Sequence, residues 1–365
     1  MSSPLATLVL ALSLLIPAAA LAQRTAPAVA AIIAEGALAL EEMRFGDALE
    51  AFTKAVVTVP GDPSLWFGKG LAAFLLGQND EAETSFTRAL KLNPRFSQAS
   101  AHLGELQYHS GRVADAIATY EAALTYAPGE RALIERLDDW RRSSRFSERL
   151  YESRGSHFRV LFEGPADDAI ARRAVEFLEA AYWRVGTALT VYPPASITVV
   201  LYTIQQFRDI TRAPAWSGGL YDGQIRVAVK GALDHPEDLE RLLSHEFVHA
   251  VVAQVGGRNV PFWLNEGFAT ALEPGGVEWA SSVLAGASGR LGLEQLHQSF
   301  GRLQGEAVVM AYAESALAVR RLIDMRGASA VVALLRALQQ GERFESAFHQ
   351  RLAMRYEDFL AMLRR

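Results

Sequence analysis

The chain has 365 residues, half of them hydrophobic, and this length predicts two domains because one hydrophobic core usually stops growing at roughly 250 to 300 residues. The formal net charge of -5 and the lack of any run of Lys and Arg exclude nucleic acid as a partner. Cysteine does not occur in the sequence, so disulfides, thiolate metal sites and cysteine nucleophiles are excluded and a metal can be held only by nitrogen and oxygen ligands.

The first 22 residues contain no charged side chain. A nearly continuous apolar stretch from Leu5 to Ile16 leads to Ala20-Leu21-Ala22, which has the small-x-small form of a signal-peptidase site. Residues 1–22 are therefore interpreted as a signal peptide cleaved before Gln23, which predicts a periplasmic or secreted protein. The segment from Pro4 to Ala22 is also long enough to span a bilayer, so an uncleaved membrane anchor is the alternative.

A register of about 34 residues occurs three times in the next part of the chain, which is the length of a helix-turn-helix repeat. Five series of residues recur in step: Gly36, Gly70 and Gly104; Ala48, Ala82 and Ala116; Phe52, Phe86 and Tyr120; Ala55, Ala89 and Ala123; Pro60, Pro94 and Pro128. Gly and Ala permit two helices to approach closely, the aromatic ring fills the space between repeats, and Pro ends the second helix.

Residues 29–130 thus resemble three tetratricopeptide repeats, and a helix around Arg131 to Arg145 is predicted to close the stack, giving an all-α module over residues 29–145. The resemblance implies a concave face that binds a peptide or a partner protein. The alternative is that the repeats only support the following domain.

Alternation of apolar and polar residues begins at Ser156. It predicts three strands, over residues 157–162, 196–202 and 224–229. A long helix is predicted over residues 166–189, and the Gly-rich segment 218–223 is predicted as a turn-rich approach to the third strand. Beyond that strand the sequence predicts helices, the first of which begins at Pro236. Residues 152–365 are therefore predicted to form a domain with a mixed sheet and helices, which makes the whole chain α+β.

The helix that is predicted to begin at Pro236 carries His245-Glu246-Phe247-Val248-His249. At 3.6 residues per turn, the two histidines lie on one face roughly 6 Å apart, so both imidazoles can reach one ion. Glu246 then points beside the ion, where it can act as the general base of a hydrolase. The following helical segment supplies Glu266 as the third ligand. Three protein ligands with one open position are typical of a catalytic metal site.

This pattern resembles the gluzincin metallopeptidases, in which zinc is bound by an HExxH helix and by a glutamate on a following helix. The segment from Trp263 to Ala269 is similar to the corresponding helix of aminopeptidase-N-like enzymes, and the resemblance extends from about Phe158 to Gly327. It implies a zincin-like fold and one Zn²⁺ per chain. The residues to which it assigns roles are the ligands His245, His249 and Glu266, the base Glu246, and Tyr312, whose hydroxyl stabilises the oxyanion.

Packing of Tyr312 within an amphipathic helix is the alternative for that residue. Aminopeptidases of this kind anchor the substrate amino terminus with a Gly-x-Met-Glu-Asn strand, and no such sequence precedes His245. The segment 224–229 occupies the place where many zincins pair a sheet edge with an extended substrate, which predicts an endopeptidase acting on exported proteins or peptides. Two alternatives stay open, namely a non-hydrolytic exported scaffold that keeps the zinc-binding fold, and a zinc hydrolase of another bond.

Other polar residues near the motif are predicted to have ordinary roles. Asp234 and His235 are predicted to cap the metal-binding helix. Thr270 and Glu273 are predicted to face solvent, with a role in orienting a ligand as the alternative. Asn265 is predicted to fix the start of its helix.

Overall fold

The structure is a computed structural model, which describes residues 27–147, 150–164, 167–211, 218–229, 235–287, 289–297 and 300–363. The predicted signal segment, residues 1–22, lies outside the described residues. The predicted boundaries of the repeat module and of the second domain stay predictions.

The N-terminal part of the described chain is a stack of seven helices joined by short turns. They are α1 (Pro27–Glu41), α2 (Phe45–Thr58), α3 (Pro63–Leu75), α4 (Asn79–Leu92), α5 (Ser97–His109), α6 (Val113–Tyr126) and α7 (Arg131–Ser147). Gly70 lies against the ring of Phe86, and Gly104 lies against the ring of Tyr120. A Cβ at either glycine would clash with that ring, so the two helices of a repeat can approach this closely only at a glycine. The glycine and the aromatic residue thus form a close contact between the helices of a repeat, as the 34-residue register predicts.

The second part of the chain contains a five-stranded sheet with the order β1-β2-β3-β5-β4. The strands are β1 (Tyr151–Arg154), β2 (Phe158–Phe162), β3 (Ile197–Tyr202), β4 (Gly219–Tyr221) and β5 (Ile225–Ala228). β2, β3 and β5 are parallel, whereas β1 and β4 are antiparallel edge strands. The α+β fold class, with helical repeats followed by a domain that has a mixed sheet, is confirmed.

One sequence prediction about the sheet is wrong. The segment 224–229 was expected at the edge of the sheet, but β5 pairs with β3 on one side and with β4 on the other. The edge strand on this side of the sheet is β4. It lies in segment 218–223, for which the sequence predicts turns and no strand. The chain reverses at Gly223, whose φ of +100 is easily adopted only by glycine, and this turn adds an antiparallel strand outside β5.

Helices cover the sheet and continue to the C-terminus. They are α8 (Asp168–Leu189), α9 (Ile204–Thr211), α10 (Pro236–Gly256), α11 (Phe262–Leu272), α12 (Gly276–Ala285), α13 (Glu306–Arg326), α14 (Ala328–Gln339), α15 (Phe344–Leu352) and α16 (Tyr356–Leu363). Phe158 and Val199 on one face of the sheet join a core with Leu178 of α8 and Phe247 of α10. The buried side of α10 thus lies against the sheet, which leaves its other side for the α11 helix. Among the described residues, no helix has the length and apolar character needed to cross a membrane.

Candidate metal centre

The side chains of His245 and His249 lie one turn apart on α10 and converge on Glu266 of α11. Nε2 of His245 lies 3.5 Å from Oε2 of Glu266, and Nε2 of His249 lies 3.4 Å from the same oxygen. The three residues each offer one ligand atom, and these three atoms all lie within 4.8 Å of one another. The structure therefore brings together the three residues that the sequence predicts as metal ligands.

The spacing of these donor atoms fits a zinc ion. Two ligand atoms that each lie about 2.0 to 2.1 Å from a tetrahedral ion are roughly 3.3 to 3.4 Å apart. Oε2 of Glu266 is buried and, within the described part of the chain, has no hydrogen bond of good geometry. A buried carboxylate oxygen in that situation is costly unless a cation compensates its charge. The His, His and Glu group can therefore hold a metal ion.

The second ring nitrogen of each histidine contacts a side chain of α11 or of Glu273, the residue that follows this helix. Nδ1 of His245 lies 2.7 Å from Oε2 of Glu273, and Nδ1 of His249 lies 3.1 Å from Oδ1 of Asn265. Since both partner atoms are acceptors, each Nδ1 carries the hydrogen and each Nε2 presents a lone pair toward Glu266 when the ring is neutral. Glu273 and Asn265 thus fix the ring orientation and the tautomer that a metal site requires.

The close packing of α11 on α13 places Tyr312 at the same site. A Cβ at Gly267 would clash with the carbonyl oxygen of Ser315, so the two helix backbones approach closely next to Glu266. Tyr312 lies one turn before Ser315, and its ring centroid is 6.1 Å from that of His245. Tyr312 therefore lies beside His245, and its ring also packs edge-on against Phe300 of the core, so both interpretations of this residue stay open.

Glu246 lies against the edge strand of the sheet. It is 5% exposed, and a Cβ at Gly219 of β4 would clash with its carboxylate. Only a residue without a side chain at position 219 leaves space for this carboxyl group. Gly219 was predicted only as part of the Gly-rich segment 218–223, and nothing in that segment indicates a contact with Glu246.

The four ionisable groups at the centre of the site shift one another's pKa. Burial acts to lower the pKa of His245, but its contacts with Glu266 and Glu273 outweigh burial and raise it. Burial acts to raise the pKa of Glu266, but the two imidazoles facing it lower that pKa to about 2. Burial raises the pKa of Glu246 despite the opposing effect of both histidines. Glu266 is therefore held as a carboxylate, whereas Glu246 binds a proton more readily than an exposed glutamate.

Burial also raises the pKa of Tyr312 well above its usual value, and the carboxylates of Glu266 and Glu246 act in the same direction. The phenol is therefore kept protonated and can donate a hydrogen bond to an oxygen that carries negative charge.

The other polar residues named from the sequence lie as follows. Thr270 is 2% exposed, and the Glu273 side chain is 9% exposed, so the prediction that both face solvent is wrong. His235 is at the N-cap of α10 without a capping hydrogen bond from its side chain, and Asp234 lies outside the described residues. The alternative for Glu273, a role in orienting a ligand, agrees with its contact with His245, since seven residues make about two helical turns and place it on the face of Glu266.

Comparison with protein families agrees with this architecture. Residues 181–357 match the family model of the Peptidase MA superfamily, and residues 33–83 and 76–131 match the model of the tetratricopeptide repeat. The chain therefore contains tetratricopeptide repeats followed by a Peptidase MA superfamily domain.

Individual proteins resemble limited parts of the chain. Small glutamine-rich tetratricopeptide repeat-containing protein 2 of Mycosarcoma maydis is 32% identical over 100 residues, which are 27% of this chain and 28% of that protein. Protein O-mannosyl-transferase TMTC1 of Homo sapiens is 35% identical over 111 residues, which are 29% of this chain and 12% of that protein. The chain spans less than half the length of these curated relatives.

Among solved structures, the first tetratricopeptide-repeat domain of Spaghetti (RPAP3), bound to an HSP90 peptide, matches at 20% identity. The match covers 32% of this chain and 95% of that one, with a TM-score of 0.31.

Proposed function

We propose that this chain is a zinc-dependent metallopeptidase, specifically an endopeptidase that hydrolyses exported proteins or peptides. The observation that carries the proposal is the convergence of His245, His249 and Glu266 on one buried point, with Glu246 beside it. The match of residues 181–357 to the Peptidase MA superfamily supports the same reaction class.

In this proposal His245, His249 and Glu266 hold one Zn²⁺, which when bound supplies a Lewis acid that polarises a carbonyl and lowers the pKa of water. Glu246 accepts a proton from the attacking water molecule and later donates it to the leaving amine. Burial raises its pKa above that of an exposed glutamate, which favours the uptake of this proton. Tyr312 donates its hydroxyl hydrogen to the developing oxyanion.

The edge strand β4 is the proposed docking strand for an extended substrate. It runs past Glu246 at Gly219, so a peptide paired with its outer side would lie alongside the base. An extended peptide that passes along an edge can continue in both directions, which favours internal cleavage over removal of terminal residues.

The proposal includes export and a protein partner. Export is inferred from the apolar segment before Gln23 and its small-x-small ending, with an N-terminal membrane anchor as the alternative. The repeats are proposed to bind a substrate or a partner protein on their concave face, which is the usual binding surface of such solenoids.

The experiment that tests the proposal is the Glu246→Gln substitution. Cleavage of an unfolded protein or a mixed peptide library should fall by about 100-fold or more, since the amide cannot accept the proton. Zinc content should stay at the wild-type level, because Glu246 is not one of the three ligands. Glu237→Gln, on an exposed first-turn position of the same helix, is the matched control and should cleave at the wild-type rate.

Cleavage at the wild-type rate by the Glu246→Gln protein would contradict the assignment of the base. One bound zinc without cleavage of any peptide by the wild-type chain would favour the non-hydrolytic scaffold instead.

A further inference from the structure

The turn between β4 and β5 is packed against the third repeat. Nδ1 of His109, the last residue of α5, lies 2.6 Å from the carbonyl oxygen of Asp222. A Cβ at Gly223 would clash with the carbonyl oxygen of His109. The φ of Gly223 is +100, which residues other than glycine rarely adopt. The hairpin formed by β4 and β5 is thus shaped to fit the end of a repeat helix.

Arg226 of β5 is the centre of this contact. Its side chain is 2% exposed, and all three guanidinium nitrogens have hydrogen-bond partners. Nη2 donates to the hydroxyl of Tyr108 in α5 at 2.7 Å, and Nη1 donates to Ser143 in α7 at 3.3 Å. The partners within the second domain are Asp222 at 3.1 Å, Tyr202 at 2.6 Å and Gln224 at 3.2 Å.

A charged guanidinium group can be buried this deeply only when its N–H groups have hydrogen-bond acceptors. Burial acts to lower the pKa of Arg226, but the Asp222 carboxylate together with the hydroxyls of Tyr108 and Tyr202 outweighs burial and raises it, so the charge is retained. Removing one partner of a buried charged group leaves a polar atom without a hydrogen bond, which is more costly than losing the bond itself. The two repeat helices are therefore tied firmly to the hairpin.

The same hairpin reaches the candidate metal centre. Arg226 is the cross-strand partner of Leu220, and the neighbouring residue Gly219 contacts the Glu246 carboxylate. The strand pair fixed by the repeats and the contact with Glu246 are therefore at adjacent residues of β4. A shift of the hairpin would change the space around this carboxylate and the position of the edge strand.

We propose that Arg226 is a positioning residue, which uses Tyr108 and Ser143 of the repeats to hold β4 at its place beside Glu246. The repeats are accordingly a structural component of the active site as well as a binding module. The effect on turnover rests on the proposed peptidase function, whereas the effect on the hairpin does not.

The test compares Tyr108→Phe with Tyr120→Phe in the full chain. Tyr120 is also a buried tyrosine of the third repeat, but its hydroxyl contacts Ala101 and Glu105 within the repeats instead of the hairpin. In Tyr108→Phe, backbone amides of residues 218–229 should exchange with deuterium about tenfold faster or more. Amides of residues 239–252 in the α10 helix should be unchanged, and Tyr120→Phe should leave the hairpin at the wild-type rate.

Kinetics of the same variants test the positioning role. The Tyr108→Phe variant should raise KM for an extended peptide roughly fivefold with zinc content unchanged, since the edge strand is displaced while the ligands are not. A merely structural loss of folded protein would lower the apparent kcat and leave KM as it is.

Unchanged exchange in the hairpin, or faster exchange with an unchanged KM, would overturn the proposal. A wild-type chain that cleaves no peptide would contradict the proposed function, and the exchange data would still decide whether the repeats hold the hairpin.

Discussion

At the residue scale, the orientation of the two histidines is as informative as their position. An imidazole can present either nitrogen to a metal, and the hydrogen bond made by the other nitrogen selects which one it is. Glu273 and Asn265 contact Nδ1 of His245 and His249, respectively, so both Nε2 atoms are directed to the Glu266 carboxylate. α11 and the residue that caps its C-terminus therefore supply one ligand and the acceptors that orient the other two.

Glu273→Ala tests this role of α11. The variant should bind zinc about 10- to 100-fold more weakly than the wild type, because His245 loses the acceptor that fixes its ring. The measurement is a zinc titration against a competing chelator. Glu278→Ala, an exposed position on α12, is the control and should match the wild type. An unchanged affinity in Glu273→Ala would show that the contact is incidental.

The sequence contained most of this site. The HExxH spacing and the distance to Glu266 are local properties of two helices, so the three ligands and the base could be placed by counting residues. The ligand-orienting role given as the alternative for Glu273 follows in the same way, because this residue lies about two turns after Glu266. The contact of Gly219 with Glu246 could not be placed by counting, since it depends on where an edge strand lies relative to a helix from another part of the chain.

At the element scale, the α5 helix is buried on nearly all sides, and this places a histidine among aromatic rings. His102 is 5% exposed and stacks on Phe86 at a centroid distance of 5.6 Å, with Phe67 and Phe74 also in contact. Burial, opposed by the Glu105 carboxylate and assisted by the Arg258 charge, lowers the pKa of His102 to about 4.

This shift predicts a pH dependence of stability. His102 is protonated near pH 6.5 in the unfolded chain but only near pH 4 in the folded chain. The contribution of neutral His102 to the free energy of unfolding is therefore present above about pH 6.5 and is lost as the pH falls toward 4. Between pH 7.5 and 5.0 the wild type should lose about 2 kcal/mol more free energy of unfolding than His102→Gln, measured by urea denaturation. His349→Gln, at an exposed histidine, should follow the wild type. Equal losses in the wild type and His102→Gln would contradict the assigned shift.

The elements themselves were largely predictable, but their arrangement was not. The predicted strands and the long helix agree with β2, β3, β5 and α8 to within about two residues at each end, since alternation and helical periodicity are local signals. The order of strands β5 and β4 was missed. The strand order depends on which segments pair with each other. The turn at Gly223, which reverses the chain, produces no apolar–polar periodicity by which it could be recognised in the sequence.

At the scale of the whole molecule, the repeats and the second domain are packed together at more than one place. Besides the contact at Arg226, the loop between the two ligand helices is held by α3. Arg258 lies 3.6 Å above the ring of Phe74 and donates to its carbonyl oxygen at 2.8 Å, and Asn259 donates to the carbonyl oxygen of Leu75 at 2.8 Å. This loop joins the helix of His249 to the helix of Glu266.

Neither contact could be predicted from the sequence. Repeat periodicity defines which side chains pack inside the solenoid, and it contains no information about a surface that fits another domain. Arg226 and Arg258 are polar residues in a strand and a loop, where an exposed side chain is the normal expectation. Arg226 is buried and Arg258 is half-buried because two parts of the chain that are far apart in sequence dock against each other.

The central claim is that His245, His249 and Glu266 together bind one zinc ion, and metal content tests it most directly. The full chain, purified and dialysed, should contain one zinc per molecule by elemental analysis. His245→Ala and Glu266→Ala should contain far less, because each leaves two protein ligands, whereas Glu237→Gln should keep the full amount. A wild-type chain without zinc after incubation with the metal, or ligand variants that retain one zinc per chain, would contradict the account.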